Sequence, residues 1–266
     1  MPAADIWRAS IMELIGCFAL TFSAVKYINP VQFAPKPSDV TDAVWLATAG
    51  IPIVEIEAAK MVFVLAFFTW AGVAVSGAHY NPIVTISMFM AKKTDPVSAV
   101  FYLIAQAIGA VSAGLLQLFL TAGIRKDWMP GVTLPRTSWN YFLPFTNPDV
   151  GFIRASLCQF ISAFVFIIVY QSMLVEKRAP KGVNCFAVGL AYGLAYLTVG
   201  YATGGTINPY IYLLPRVFTL EIADVISFTV GPLFGAIAGA VYFRFLLQTD
   251  PNAAIRESAP IRRIVV

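Results

Sequence analysis

An Asn-Pro pair occurs twice in this chain, each time behind a run of small residues and inside a long apolar stretch. The first lies in Ser76-Gly77-Ala78-His79-Tyr80-Asn81-Pro82-Ile83-Val84-Thr85, and the second in Thr203-Gly204-Gly205-Thr206-Ile207-Asn208-Pro209-Tyr210. Proline fits the first helical turn without losing a hydrogen bond, and an asparagine before it caps free N–H groups, so each pair predicts the start of a short helix. The small residues ahead of each pair predict extended, non-helical backbone. With 59% hydrophobic residues, 12% charged residues and a mean hydropathy of +0.75, the chain lies outside the range of soluble domains and is read as an integral membrane protein. Irregular backbone at membrane depth is tolerated only where it packs in protein or lines a watery cavity, so two such interruptions, one per half, point to a polar path near the midplane.

The paired motifs resemble those of the major intrinsic protein family, the aquaporins and glycerol channels, whose signature is a duplicated Asn-Pro-Ala. The resemblance implies an all-α integral membrane fold in which six transmembrane helices and two re-entrant half-helices form an inverted repeat. A single membrane channel domain is expected, with repeats of about residues 8–124 and 151–248 and a basic C-terminal tail over 249–266. It also implies a homotetramer with one pore per protomer.

Hydropathy places the spans at about 9–28, 55–76, 97–123, 151–175, 183–202 and 224–248, with half-helices running to about 91 and 219. Residues 29–54 hold four prolines and are expected to form a long outer loop with a short interfacial helix near 43–49. The polar stretch 125–150, with Trp128 and Trp139, is expected to join the halves. Glu57 and Lys60 are expected at the wet end of the second span. Small residues Gly109, Ala110, Ala113 and Gly114 in the third span, and Gly231, Gly235 and Ala236 in the sixth, should let helices approach closely.

Glu13 falls inside the first span, and an intramembrane carboxylate calls for a partner. The resemblance assigns it to accept hydrogen bonds from the first re-entrant loop, with Gln159 at the corresponding place in the second half, where an amide can still accept. Cys17, Cys158 and Cys185 show no metal-like spacing and His79 is the only histidine, so neither a metal site nor a cofactor is expected. No nucleophile and base pair or phosphate loop appears, which argues against an enzyme, and the scattered Lys and Arg residues argue against nucleic acid as a partner. Lipid and small permeants are the expected partners. Placing both tails, Lys92, Lys93 and Lys177 to Lys181 on one side gives it ten of the 18 Lys and Arg residues, so both termini are expected in the cytoplasm.

The expected pore follows from these assignments. Asn81 and Asn208, with Pro82 and Pro209, start the half-helices and supply side-chain donors at the midplane. The carbonyls of Gly77, Ala78, His79, Gly204, Gly205 and Thr206 form an acceptor ladder. Ile83 and Tyr210 stand where the family has Ala. Counting from the motifs, the outer constriction falls at Met61, Tyr196, Gly205 and Ile211. The family carries Arg at the last position, and Arg216 lies too far along the half-helix to replace it. The filter should therefore lack a fixed charge, with Tyr196 closing what Gly205 opens. Facilitated diffusion of water, glycerol, ammonia or urea is the first reading. A poorly conducting protein with a structural or assembly role is the alternative.

Overall fold

A computed structural model describes residues 3–24, 53–121, 150–176, 179–180, 182–216 and 225–247. The expected interfacial helix at 43–49, most of the joining stretch 125–150 and the tail at 249–266 lie outside them. The described residues contain six long helices and two short ones. The long helices are α1 (Ala3–Ser23), α2 (Ile53–Gly72), α4 (Pro96–Thr121), α5 (Phe152–Leu174), α6 (Asn184–Thr203) and α8 (Val225–Tyr242), the last running into a π-helical turn at Phe243–Leu247. The short ones, α3 (Pro82–Met90) and α7 (Pro209–Arg216), follow the two Asn-Pro pairs.

Helix ends follow local chemistry. α4 begins with Pro96 behind Asp95, whose carboxylate accepts from the Ser98 N–H at 2.9 Å and the Ser98 hydroxyl at 2.7 Å. Burial acts to raise the Asp95 pKa, but these bonds outweigh it and hold the carboxyl below its ordinary value. α1 begins six residues earlier than hydropathy suggested, with Asp5 in its first turn, where a carboxylate complements the helix dipole. α2 and α6 are 20 residues each, a length of about 30 Å that matches a bilayer core.

The surface and the interior are exchanged relative to a soluble protein. Phe63, Phe67, Trp70, Phe119 and Ile153 are exposed, whereas Glu13, Asn81, Gln106, Gln159 and Asn208 are buried. An apolar exterior around a polar interior is stable only against lipid. Glu57 is buried and ion-paired with Lys60 one turn away. The pairing lets the carboxylate leave water.

The packing order repeats in the two halves. α1 lies against α4 in the first, α5 lies against α8 in the second, and α2 with α6 joins them. Each half-helix also crosses over: α3 packs on α8 and α7 on α4. Close approach rests on glycine. A Cβ on Gly109 would strike the Leu14 carbonyl of α1, and one on Gly235 would strike the Phe160 carbonyl of α5. Backbone obstacles of this kind cannot rotate away. Gly235→Ala should therefore cost about 1–3 kcal/mol of stability. Gly182→Ala, where no atom lies within 4 Å of the added carbon, should leave the thermal midpoint in detergent unchanged. Equal midpoints for the two variants would refute this account of the helix contacts.

Candidate functional site

The chain leaves α2 through Val73 to Ser76 and then takes three left-handed residues, Gly77 (φ 89°), Ala78 (φ 61°) and Tyr80 (φ 51°), before Asn81 turns it into α3. A left-handed conformation is unfavourable for Ala and Tyr, so something must hold it. Glu13 does. Its Oε1 accepts from the Ser76 hydroxyl (2.5 Å) and the His79 N–H (2.9 Å), and its Oε2 from the Tyr80 N–H (2.6 Å) and Gln106 Nε2 (2.7 Å). Gln106 also donates to the Thr85 hydroxyl at 2.8 Å, which lies 3.1 Å from His79 Nδ1. One carboxylate thus ties α1, the loop and α4 together, and Gln106 extends the network to Thr85 of α3.

Tyr80 is the second anchor. Its ring fills the space beside Gly16 and Gly72, where a Cβ on either glycine would collide with it, and its hydroxyl donates to the Phe68 carbonyl at 2.8 Å. The sequence held no local signal for this seat. Gln106 did carry one, as one of two amides, with Gln117, in an otherwise apolar helix.

The second loop is built with the opposite polarity. Gly204 (φ 72°) ends α6 with a left-handed cap, and Gly205 (φ 104°) continues the turn. Gln159 points its Nε2 at the Thr206 carbonyl and the Thr203 hydroxyl, both at 2.7 Å. A carbonyl only accepts, so the amide nitrogen must face it. The expectation that Gln159 accepts from the loop is therefore reversed: it donates. Glutamate there would set a carboxylate against a carbonyl oxygen.

The two loops meet at the half-helix starts. Asn81 Oδ1 accepts from the Ile83 N–H (3.1 Å) and Asn208 Oδ1 from the Tyr210 N–H (3.0 Å), so each asparagine caps its helix. Asn208 Nδ2 donates across the junction to the Tyr80 carbonyl at 3.1 Å. Asn81 Nδ2 is buried with no partner among the described residues. Two carbonyls of the expected acceptor ladder are taken by the protein itself. Gly77 accepts from the Tyr170 hydroxyl at 2.6 Å, and Thr206 from Gln159.

Met61, Tyr196, Gly205 and Ile211 are all buried, and the three with side chains expose no surface. Ile83 is buried as well, and Tyr210 half-buried. The Tyr196 ring occupies the space that the missing Gly205 side chain leaves, and a Cβ there would strike that ring.

A family model described as "Major intrinsic protein" matches residues 1–243. The chain belongs to that family. It is similar to aquaporin AqpM of Methanothermobacter thermautotrophicus, 30% identical over 195 residues that cover 69% of this chain and 73% of the relative. The probable aquaporin AqpM of Archaeoglobus fulgidus is 29% identical over 252 residues, covering 89% and 95%. The solved aquaglyceroporin of Plasmodium falciparum shares the fold with a TM-score of 0.64 at 19% identity, over 91% of this chain and 97% of that one. The protein is thus an integral membrane channel of a family that passes water or small solutes, and not an enzyme.

Opposite loop polarity makes the two supports non-interchangeable. Gln159→Glu should lower the thermal midpoint in detergent, because it exchanges a made bond for two facing acceptors, a loss of roughly 1–3 kcal/mol. Glu13→Ala should do more harm, since it strands four donors. A Gln159→Glu protein as stable as the parent would show that the second loop does not present its Thr206 carbonyl to α5.

Proposed function

We propose that permeant molecules cross between the two capped half-helices, passing Asn81 and Asn208 at the midplane and an uncharged outer constriction of Met61, Tyr196, Gly205 and Ile211. The observation that carries this reading is the meeting of the loops. Asn208 reaches the carbonyl of Tyr80, directly before Asn81, and the Asn81 Nδ2 is a buried donor without a partner among the described residues. A buried unpaired donor is costly unless something that passes satisfies it, and a water, ammonia or polyol oxygen or nitrogen fits. The N-termini of α3 and α7 direct their partial positive charge to the same place, which disfavours cations.

With Ile211 where the family has Arg, the outer barrier is set by desolvation and width. Ammonia, urea and small polyols such as glycerol are then less disfavoured relative to water than in a filter with a fixed charge. The acceptors left for the permeant are the carbonyls of Ala78, His79, Gly204 and Gly205. Glu13 and Gln159 hold the loops, Pro82 and Pro209 start the half-helices, and Ile83 and Tyr210 narrow the approach to each asparagine. The repeated packing order supports one channel domain with inverted repeats of about 8–124 and 151–248. Both termini are assigned to the cytoplasm, and the assembly to a homotetramer with one pore per protomer.

A second reading, a poorly conducting member with a structural role, draws on one observation: Met61, Tyr196 and Ile211 expose nothing at the level of the filter. Stopped-flow swelling and shrinking of proteoliposomes separates the two. The parent should pass water and ammonia faster than protein-free vesicles. Asn81→Ala and Asn208→Ala should each lose a cap worth about 1 kcal/mol and reduce both rates. Parent vesicles indistinguishable from protein-free ones for every solute would favour the structural reading.

A further inference from the structure

α3 starts buried at the junction of the loops and ends at the surface, where Phe89, Met90 and Lys92 are exposed. Lys92 takes a left-handed conformation (φ 58°) just past the helix. Glycine is the usual residue at such a position, because a side chain makes that conformation unfavourable. The end of the helix does not call for the Lys92 ammonium. The carbonyls of Ser87, Met88 and Phe89 accept from the N–H groups of Ala91, Lys93 and Lys92, and the Met90 carbonyl accepts from the Arg244 guanidinium at 3.5 Å. Lys93 also places a cation at this helix terminus without a positive φ, which serves the helix dipole. The strained lysine therefore has another use.

We propose that the end of α3 and the π-helical turn after α8 form a binding site for one anionic phospholipid, with Lys92 and Arg244 holding the headgroup phosphate. Arg244 comes from that turn, a local widening of the helix of a kind that recurs at functional sites. Its bond to Met90 is long and uses one N–H, so the rest of the guanidinium fork, whose geometry matches a phosphate, is left for a ligand. Among the described residues neither Lys92 nor Arg244 forms an ion pair. The Asp95 carboxylate, three residues beyond Lys92, is turned to the Ser98 N–H and hydroxyl. Phe89 and Met90 on one side and Phe245 and Leu246 on the other are exposed beside the two cations. A phosphate carrying acyl chains matches both the charge and this apolar surface, whereas a soluble anion matches the charge alone.

The test uses the full-length protein in detergent, titrated with phosphatidylglycerol or with phosphatidylcholine of the same acyl chains and read by native mass spectrometry. Each cation beside an anionic headgroup adds about fivefold in affinity, so the parent should favour phosphatidylglycerol by roughly twentyfold. Arg244→Gln, which keeps a donor for the Met90 carbonyl, and Lys92→Gly should each cut that preference about fivefold. Lys92→Gly has a second readout. Glycine suits the left-handed position, so the thermal midpoint of this variant without lipid should equal or exceed the parent's, while the stabilisation that phosphatidylglycerol gives the parent should shrink. A midpoint below the parent's with the lipid preference intact would show that Lys92 serves the helix end alone, and would overturn the inference. Equal binding of the two lipids by the parent would also overturn it, as would a preference unchanged in both variants. Glycerol 3-phosphate should fail to displace bound phosphatidylglycerol at equal concentration. Displacement would make the pair a site for soluble phosphate and sink the lipid assignment.

Discussion

Backbone that is neither helix nor sheet survives inside a membrane only if its polar groups find partners, and the two loops of this protein meet that demand with side chains from the flanking helices. Glu13 is the strongest instance. A lone carboxylate in lipid is costly, yet here both oxygens are saturated by four donors, two of them the N–H groups of left-handed or extended loop residues. The carboxylate and the strained loop each make the other tolerable. Without the loop the carboxylate keeps only its Gln106 partner, and without the carboxylate the loop loses the acceptor of its His79 and Tyr80 N–H groups at the positive-φ turn.

The halves share an order of elements but not an electrostatic design. The first loop turns N–H groups towards its support and receives a carboxylate, while the second turns a carbonyl towards its support and receives an amide N–H. An inverted repeat thus constrains where a supporting side chain stands and leaves its donor or acceptor sense free. The same divergence reaches the junction of the half-helices, where one asparagine amide is spent on the Tyr80 carbonyl and the other is not. A duplicated motif need not supply two equal donors.

Much of the fold was legible because its signals are local. The Asn-Pro pairs mark α3 and α7 through capping chemistry that involves residues two positions apart, and the long helices follow from runs of apolar residues. Glu13 and Gln159 stood out as polar residues in apolar spans. What was not legible depends on residues far apart in the chain. Nothing beside Tyr80 announces that Gly16 and Gly72 make room for its ring. That Tyr170 engages the Gly77 carbonyl, and that Gln159 donates, depends on which backbone group faces a distant helix. Counting along the chain placed Tyr196 and Gly205 together, but whether a small residue opens a gap or receives a neighbour's ring is decided in three dimensions.

The consequence for selectivity follows from what replaces a charge. A guanidinium in a narrow pore acts at a distance, orienting what approaches and repelling cations before contact. Ile211 has no such reach, so on the proposed path discrimination falls to contact: a permeant must fit, and must give up its water among Met61, Tyr196 and Ile211. Contact discrimination is sensitive to a single ring in a way that charge discrimination is not. The residue that most governs such a constriction is therefore the largest one that nothing ties down. At this constriction that residue is Tyr196, whose hydroxyl has no hydrogen-bond partner among the described residues and whose ring packs on Gly205.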